Sequence, residues 1–162
     1  MISQANITEA TPMGANLVEG GATFRVWAPG AHEVYVDGTF GGTPSWQHTP
    51  EQLMLKSPYG YWTGFVAGAV EGDPYKFWVV GDGGSGYKRD PYARELAVDV
   101  PFPHCNCIIR KPADYPWHDE EFTTPDYSNL IIYQLHVGTY SLRPGARGAS
   151  FLDIVEKLEY LV

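Results

Sequence analysis

The chain has 162 residues, room for one large domain or for one domain and part of a second. Its 11 Lys and Arg against 19 Asp and Glu leave a formal net charge of -8, which argues against a nucleic-acid footprint or an anionic membrane partner and suits a neutral polymer such as a polysaccharide. Trp 5, Tyr 11 and Phe 7, punctuated by Gly 18 and Pro 13, describe short strands joined by many turns.

Residues 1–16 read as an N-terminal tail. Met1-Ile2-Ser3-Gln4-Ala5-Asn6-Ile7 has neither the basic start nor the apolar run of a secretion signal, and no later stretch reaches the length of a membrane span. Residues 17–111 read as one domain, and between Gly21 and Lys111 the pattern has period two. Phe24 and Val26 share a face in residues 23–28, and Val34 and Val36 repeat the alternation in residues 33–37 after the Pro29-Gly30 turn. Further strands are predicted at residues 52–56, 61–67, 75–80, 96–98 and 106–110. About seven short strands in this spacing predict an immunoglobulin-like β-sandwich, mainly β in class. Cys105 and Cys107 are too close for a disulfide framework and too few for a zinc site, so two small buried thiols beside a surface His104 are expected, with no cofactor or metal and a reducing, cytoplasmic location.

Residues 112–129 change character. Pro112, Pro116 and Pro125 break any regular element, and Tyr115, Trp117, Phe122 and Tyr127 give this linker too many aromatics for a free tether, so it is expected to be packed. Its acids, Asp119, Glu120, Glu121 and Asp126, read as a solvated charge run and not as a catalytic pair. Asp90, in Asp90-Pro91-Tyr92, reads as a turn acid that bonds the linker or touches a second domain.

Residues 130–137 are nearly continuous in apolar side chains, the signature of a parallel strand buried on both faces. A helix should follow. Ser150 is placed to cap it, Asp153 suits its positive end, and Phe151, Ile154, Val155, Leu158, Leu161 and Val162 form one stripe that needs a sheet beneath it. The expectation is a (β/α)8 barrel cut after one strand and one helix, its tail loosely held in the isolated chain.

Phe24-Arg25-Val26-Trp27-Ala28-Pro29, Gly60-Tyr61-Trp62, Tyr75-Lys76-Phe77 and Asp90-Pro91-Tyr92-Ala93 resemble a carbohydrate-binding module of family 48. Residues 132–140, together with Phe151 and Lys157-Leu158-Glu159-Tyr160-Leu161, are similar to the first barrel strand and helix of glycoside hydrolase family 13, as in glucan branching enzymes and the related trehalohydrolases and debranching enzymes. The resemblance implies a retaining enzyme acting on α-1,4-glucans, whose two carboxylates lie about 5–5.5 Å apart and belong to later barrel strands. No residue of this chain inherits that role, and the chain alone is expected to be inactive. The partners implied are an α-glucan such as glycogen and the missing barrel, with no nucleic acid and no membrane.

Glycogen-binding members of the module family use aromatic platforms, a lysine in the Tyr-Lys-Phe strand and a late asparagine. By position these correspond to Trp46, Lys76 and Asn106, with Tyr87 as the one offering at the second platform. A structural surface competes with this reading: Trp46 packing under its own loop, Lys76 facing solvent, Asn106 supporting a turn. In the barrel segment His136 is the candidate for the substrate face, with a hydrogen-bonded structural role as its rival, and Tyr133 and Tyr140 read as core or rim. A stand-alone glucan-binding module and a non-catalytic interaction domain are the remaining alternatives to a branching-enzyme segment.

Overall fold

The structure, a computed structural model, describes residues 1–141, 145 and 148–161. These fall into two units, Met1–Asp114 and Tyr115–Val162.

The first unit is a sandwich of two antiparallel sheets. One has four strands in the order β1 (Gly14–Val18), β2 (Gly21–Trp27), β6 (Tyr61–Ala67), β5 (Leu55–Lys56). The other has six: β4 (Thr43–Ser45), β3 (Ala31–Phe40), β7 (Pro74–Gly81), β10 (Cys107–Ile108) and β9 (Glu95–Leu96) in that order, with β8 (Gly84–Lys88) also paired to β7. Alternation decides what faces inward. Phe24, Trp62, Val34, Val36, Tyr75, Phe77, Cys107 and Ile109 are buried between the sheets, while Glu33, Tyr35, Lys76 and Trp78 turn outward. Phe24 meets Tyr75 and Phe40 edge to face at centroid separations of 5.2 and 5.8 Å, tying β2 to β7 and β3 across the core.

β7 organises the second sheet. β3 runs along one edge with Asp37 opposite Lys76 and Tyr35 opposite Trp78. The other edge is divided between two partners, β10 at Pro74–Tyr75 and β8 at Phe77–Gly81.

The segment expected to be a tail belongs to the sandwich. Ile2 is buried against Gly64, its N–H donates to Leu53 O at 2.9 Å, and Ser3 bridges Phe65. One buried apolar residue beside a free edge, together with the Gln4 amide bonded to Thr63 O and Oγ1 at 3.0 and 2.9 Å, seats this segment, and no alternation announces it. The predicted strand at 52–56 is shorter than expected, because Pro50–Gln52 forms a 3-10 turn and only Leu55–Lys56 pairs as strand. Asp90 is a turn acid, as read, accepting from Tyr92 N at 2.8 Å and, at its backbone carbonyl, from Ala93 N at 3.1 Å. It is 4 % exposed, and in place of the expected linker bond its other carboxylate oxygen accepts from Tyr75 Oη at 2.7 Å in the core. Both thiols are buried, and burial pushes Cys107 up to about 11.

In the second unit the expected strand does not form and the expected helix is interrupted. Residues 130–136 form no ladder, and Val137–Tyr140 is a single helical turn, α1. A strand exists through its hydrogen-bonded neighbours, and hydrophobicity alone supplies none. The predicted helix begins as read: Ser150 N and Oγ donate to Asp153 Oδ2 at 2.7 and 2.8 Å, capping α2 (Phe151–Val155). It then breaks before α3 (Leu158–Leu161), since an apolar stripe with no surface to cover cannot offset the cost of nucleating and holding three turns. Val162 lies outside the described residues. No described residue of this unit is buried; Tyr115, Trp117, Phe122 and Tyr127, expected to be packed, are exposed, as are Asp119, Glu120, Glu121 and Asp126. Among the described residues no helix is long and apolar enough to cross a membrane.

Candidate functional site

The outer face of the six-stranded sheet holds the densest set of rings in the molecule. Alternation along β7 sends Lys76 and Trp78 outward, and the β8 register sets Tyr87 directly opposite Trp78. Their ring centroids are 4.9 Å apart, edge to face. The segment after β4 folds back over this face. His48, at a φ of 50°, stacks flat on Trp78 at 4.0 Å, and Trp46 meets Tyr87 edge on at 6.0 Å.

Asp37 holds the assembly together. By alternation it belongs to the outer face, yet its exposure is 0 % because the folded-back segment covers it. Gln52 Nε2 donates to Asp37 Oδ1 at 2.8 Å, while Tyr87 Oη donates to Oδ2 at 2.9 Å and His48 Nδ1 lies 2.5 Å from the same oxygen. Gln52 also donates to Ser45 O at 2.7 Å. A buried carboxylate needs partners of this kind to offset its lost hydration. Burial, the hydrogen bond to Asp37 and its charge together push the Tyr87 phenol up to about 12, so it stays a neutral donor.

Three of the four residues singled out from the sequence converge. Trp46 and Lys76 both border Tyr87, the Lys76 ammonium lying 5.9 Å from its ring centre. Lys76 Nζ donates to His104 O at 2.5 Å, and the Trp46 indole N–H donates to Thr39 Oγ1 at 3.0 Å. Asn106 is not in the ring cluster. Continuing the β10 register brings it to the level of Lys76, but it lines a separate depression with Pro74, Ala97, Val98, Asp99 and Ile108. Trp78 and His48 escaped the sequence reading. Trp78 was within reach, since it follows Lys76 by two residues in a strand; His48 owes its place to a left-handed loop conformation that no periodicity signals. In the second unit His136 is exposed and precedes α1, its ring nitrogen 3.3 Å from Thr139 Oγ1, and Tyr133 and Tyr140 meet at 6.2 Å.

Flat rings beside a cation, held by buried hydrogen bonds, can stack on the C–H faces of a sugar and bond its hydroxyls at the edge. The architecture is an immunoglobulin-like β-sandwich with an aromatic outer face, followed by a short segment of different character. The family model for carbohydrate-binding module 48 (isoamylase N-terminal domain) matches residues 12–93, and the chain belongs to that family. It is 32% identical over 156 residues to the 1,4-alpha-glucan branching enzyme GlgB of Corynebacterium jeikeium, and 31% identical over 157 residues to that of Rhodospirillum rubrum. Each alignment covers 92% of this chain and 20% of the relative, so the chain spans about a fifth of the proteins it matches. Among solved structures, a putative alpha amylase from Salmonella typhimurium superposes with a TM-score of 0.60 at 25% identity, covering 92% of this chain and 22% of that one.

Proposed function

We propose that this chain is the N-terminal segment of an enzyme acting on α-1,4-glucans, a 1,4-alpha-glucan branching enzyme, and that its module presents Trp46, Tyr87 and Lys76 to the polymer, with Trp78 supporting them from beneath His48. Identity to GlgB proteins along 92% of the chain supports the enzyme class. A cytoplasmic location belongs to the same reading, supported by two unpaired thiols. Residues 130–162 are the start of the catalytic barrel in this reading, and the carboxylate pair of the retaining mechanism is contributed from outside the chain.

The observation that carries the glucan role is the Lys76 ammonium beside Tyr87, with Trp46 and Trp78 on the same ring. Binding at a Kd near 1 mM corresponds to about 4 kcal/mol, so loss of one ring is decisive. In a native gel containing glycogen the chain should be retarded, and Trp46→Ala or Trp78→Ala should abolish the retardation. Free migration of the parent chain, or retardation indifferent to both substitutions, would sink this role. One observation favours a second reading, a face that docks another domain: the Trp46 and Tyr87 polar tips are already engaged by Thr39 and Asp37, leaving rigid rings with few free donors.

A further inference from the structure

The divided edge of β7 leaves an opening. β10 pairs as far as Tyr75 and β8 begins at Phe77, so Lys76 stands at the fork between them. A cleft of about 290 Å³ opens there, lined by Lys76, Tyr87, Lys88, Arg89, Pro103 and His104. This is near the lower limit of small-molecule sites, roughly 300–1,000 Å³.

Its charge is unusual for this chain. Three of the 11 Lys and Arg line it together with a histidine, no acid does, and the whole chain carries -8. Among the described residues Arg110 pairs with Glu95 at 2.6 Å, Lys111 lies 4.0 Å from Glu71, and Arg94 is spent on Ala15 O, Arg110 O and Asn16 Oδ1, while Lys76, Lys88 and Arg89 form no ion pair. The neighbouring acids are already engaged. Asp90 is spent on Tyr75 and Tyr92 in the core, and Asp37, opposite Lys76 across β3 and β7, has its two oxygens taken by Gln52, Tyr87 and His48. The cations are also positioned: the Arg89 guanidinium sits 4.1 Å over the Phe102 ring, and Lys76 is tethered to His104 O with further N–H donors to give. Cations clustered without counter-charge recognise a multivalent anion, and a phosphomonoester carries about -1.5 to -2 at pH 7 with three acceptor oxygens.

We propose that this cleft binds a phosphomonoester borne by a sugar unit that rests on Tyr87, the residue shared by cleft and ring cluster. Only the polymer-borne form of the ligand rests on the glucan reading above. The free form stands on the cleft alone.

The test uses the full chain and titration calorimetry at low ionic strength with glucose 6-phosphate, inorganic phosphate and glucose. Glucose 6-phosphate should bind at least about tenfold tighter than glucose, the strength of one charge-assisted contact, and should weaken as salt is added. Arg89→Gln and Lys88→Gln should each lower that affinity about tenfold, with thermal melting confirming the fold, and Lys111→Gln should leave it unchanged. Equal binding of glucose and glucose 6-phosphate, or indifference to both cleft substitutions, overturns the proposal. A phosphate-bearing starch, native and phosphatase-treated, separates the two sources in retardation gels. Stronger retardation of the native starch, lost in Arg89→Gln, supports the polymer; equal retardation with retained glucose 6-phosphate binding supports the free sugar phosphate. Absence of glycogen retardation with glucose 6-phosphate binding intact removes the glucan role and leaves the anion site standing.

Discussion

Asp37→Ala removes the post to which the aromatic face is tied. Three side chains lose their acceptor at once: Gln52, Tyr87 and His48. A hydrogen bond to a charged group contributes about 1.5–3 kcal/mol, but the three are not additive here. Gln52 keeps Ser45 O, and Tyr87 and His48 are partly exposed and can turn to water. Relief of a wholly buried carboxylate offsets a further part, so the net loss should be about 2–4 kcal/mol. For a unit of this size that is a fall in Tm of about 8–16 °C. Asp37→Asn retains an acceptor for Gln52 and loses chiefly the charge, so it should cost about half as much. The assay is thermal unfolding of both variants followed by circular dichroism, with Tyr87→Phe completing a double-mutant cycle. A coupling of at least about 0.5 kcal/mol between positions 37 and 87 is expected. The reasoning fails if Asp37→Ala melts with the parent, or if the two substitutions add without coupling.

Asp90 carries a pH signature. Burial holds its carboxyl above the usual range, with the bonds from Tyr75 and Tyr92 and the Arg94 charge pulling part of the way back. The native state therefore retains the proton longer than the unfolded chain, and stability attributable to this group falls as pH rises from the usual carboxylate value through the raised one. Relative to the parent, Asp90→Asn should gain as pH is taken from 3 to 7 in urea titrations; a difference that is flat or of opposite slope would refute it. Gly60→Ala should cost about 1–3 kcal/mol, because the residue sits at a φ of +82° and the new Cβ would fall 2.6 Å from Pro29 Cβ; an unchanged urea midpoint would show that the turn yields. Amides of residues 151–161 should exchange far faster than those of β3 and β7, since no described side chain there is buried, and comparable protection by hydrogen-exchange mass spectrometry would contradict the description of that unit.

The strands that were legible are those whose side chains alternate between two chemically different surroundings. β6 was read residue for residue at Tyr61–Ala67, because aromatic and β-branched residues fill it, it alternates from Tyr61 to Gly64, and Gly60 and Gly68 close it at positive φ. β8 was missed for the opposite reason. Gly84 and Gly86 give it little intrinsic preference, and β7 alone makes it a strand. Of the ring cluster, Trp46, Lys76 and Tyr87 came from resemblance, whereas Asp37, Gln52 and His48 are joined by a loop that folds back over the sheet, a nonlocal event without a periodic mark. The second unit shows the converse limit. Hydrophobicity in residues 130–137 states a demand for burial, and a demand does not create the neighbour that would meet it.

The family match ends at residue 93, but the protein's interior does not. Cys107 and Ile109 are both wholly enclosed, Ile109 exchanges backbone hydrogen bonds with Gly72 and Asp73 at 2.9 Å, and the Cys107 thiol receives the Asp90 N–H. They seal the side of the sandwich on which Tyr75 would otherwise meet water. The smallest autonomous folding unit thus reaches at least to residue 109. Expression of residues 1–93 should yield an aggregation-prone sheet with an open flank, so the boundary of the recognisable motif is a poor guide to where this domain can be cut.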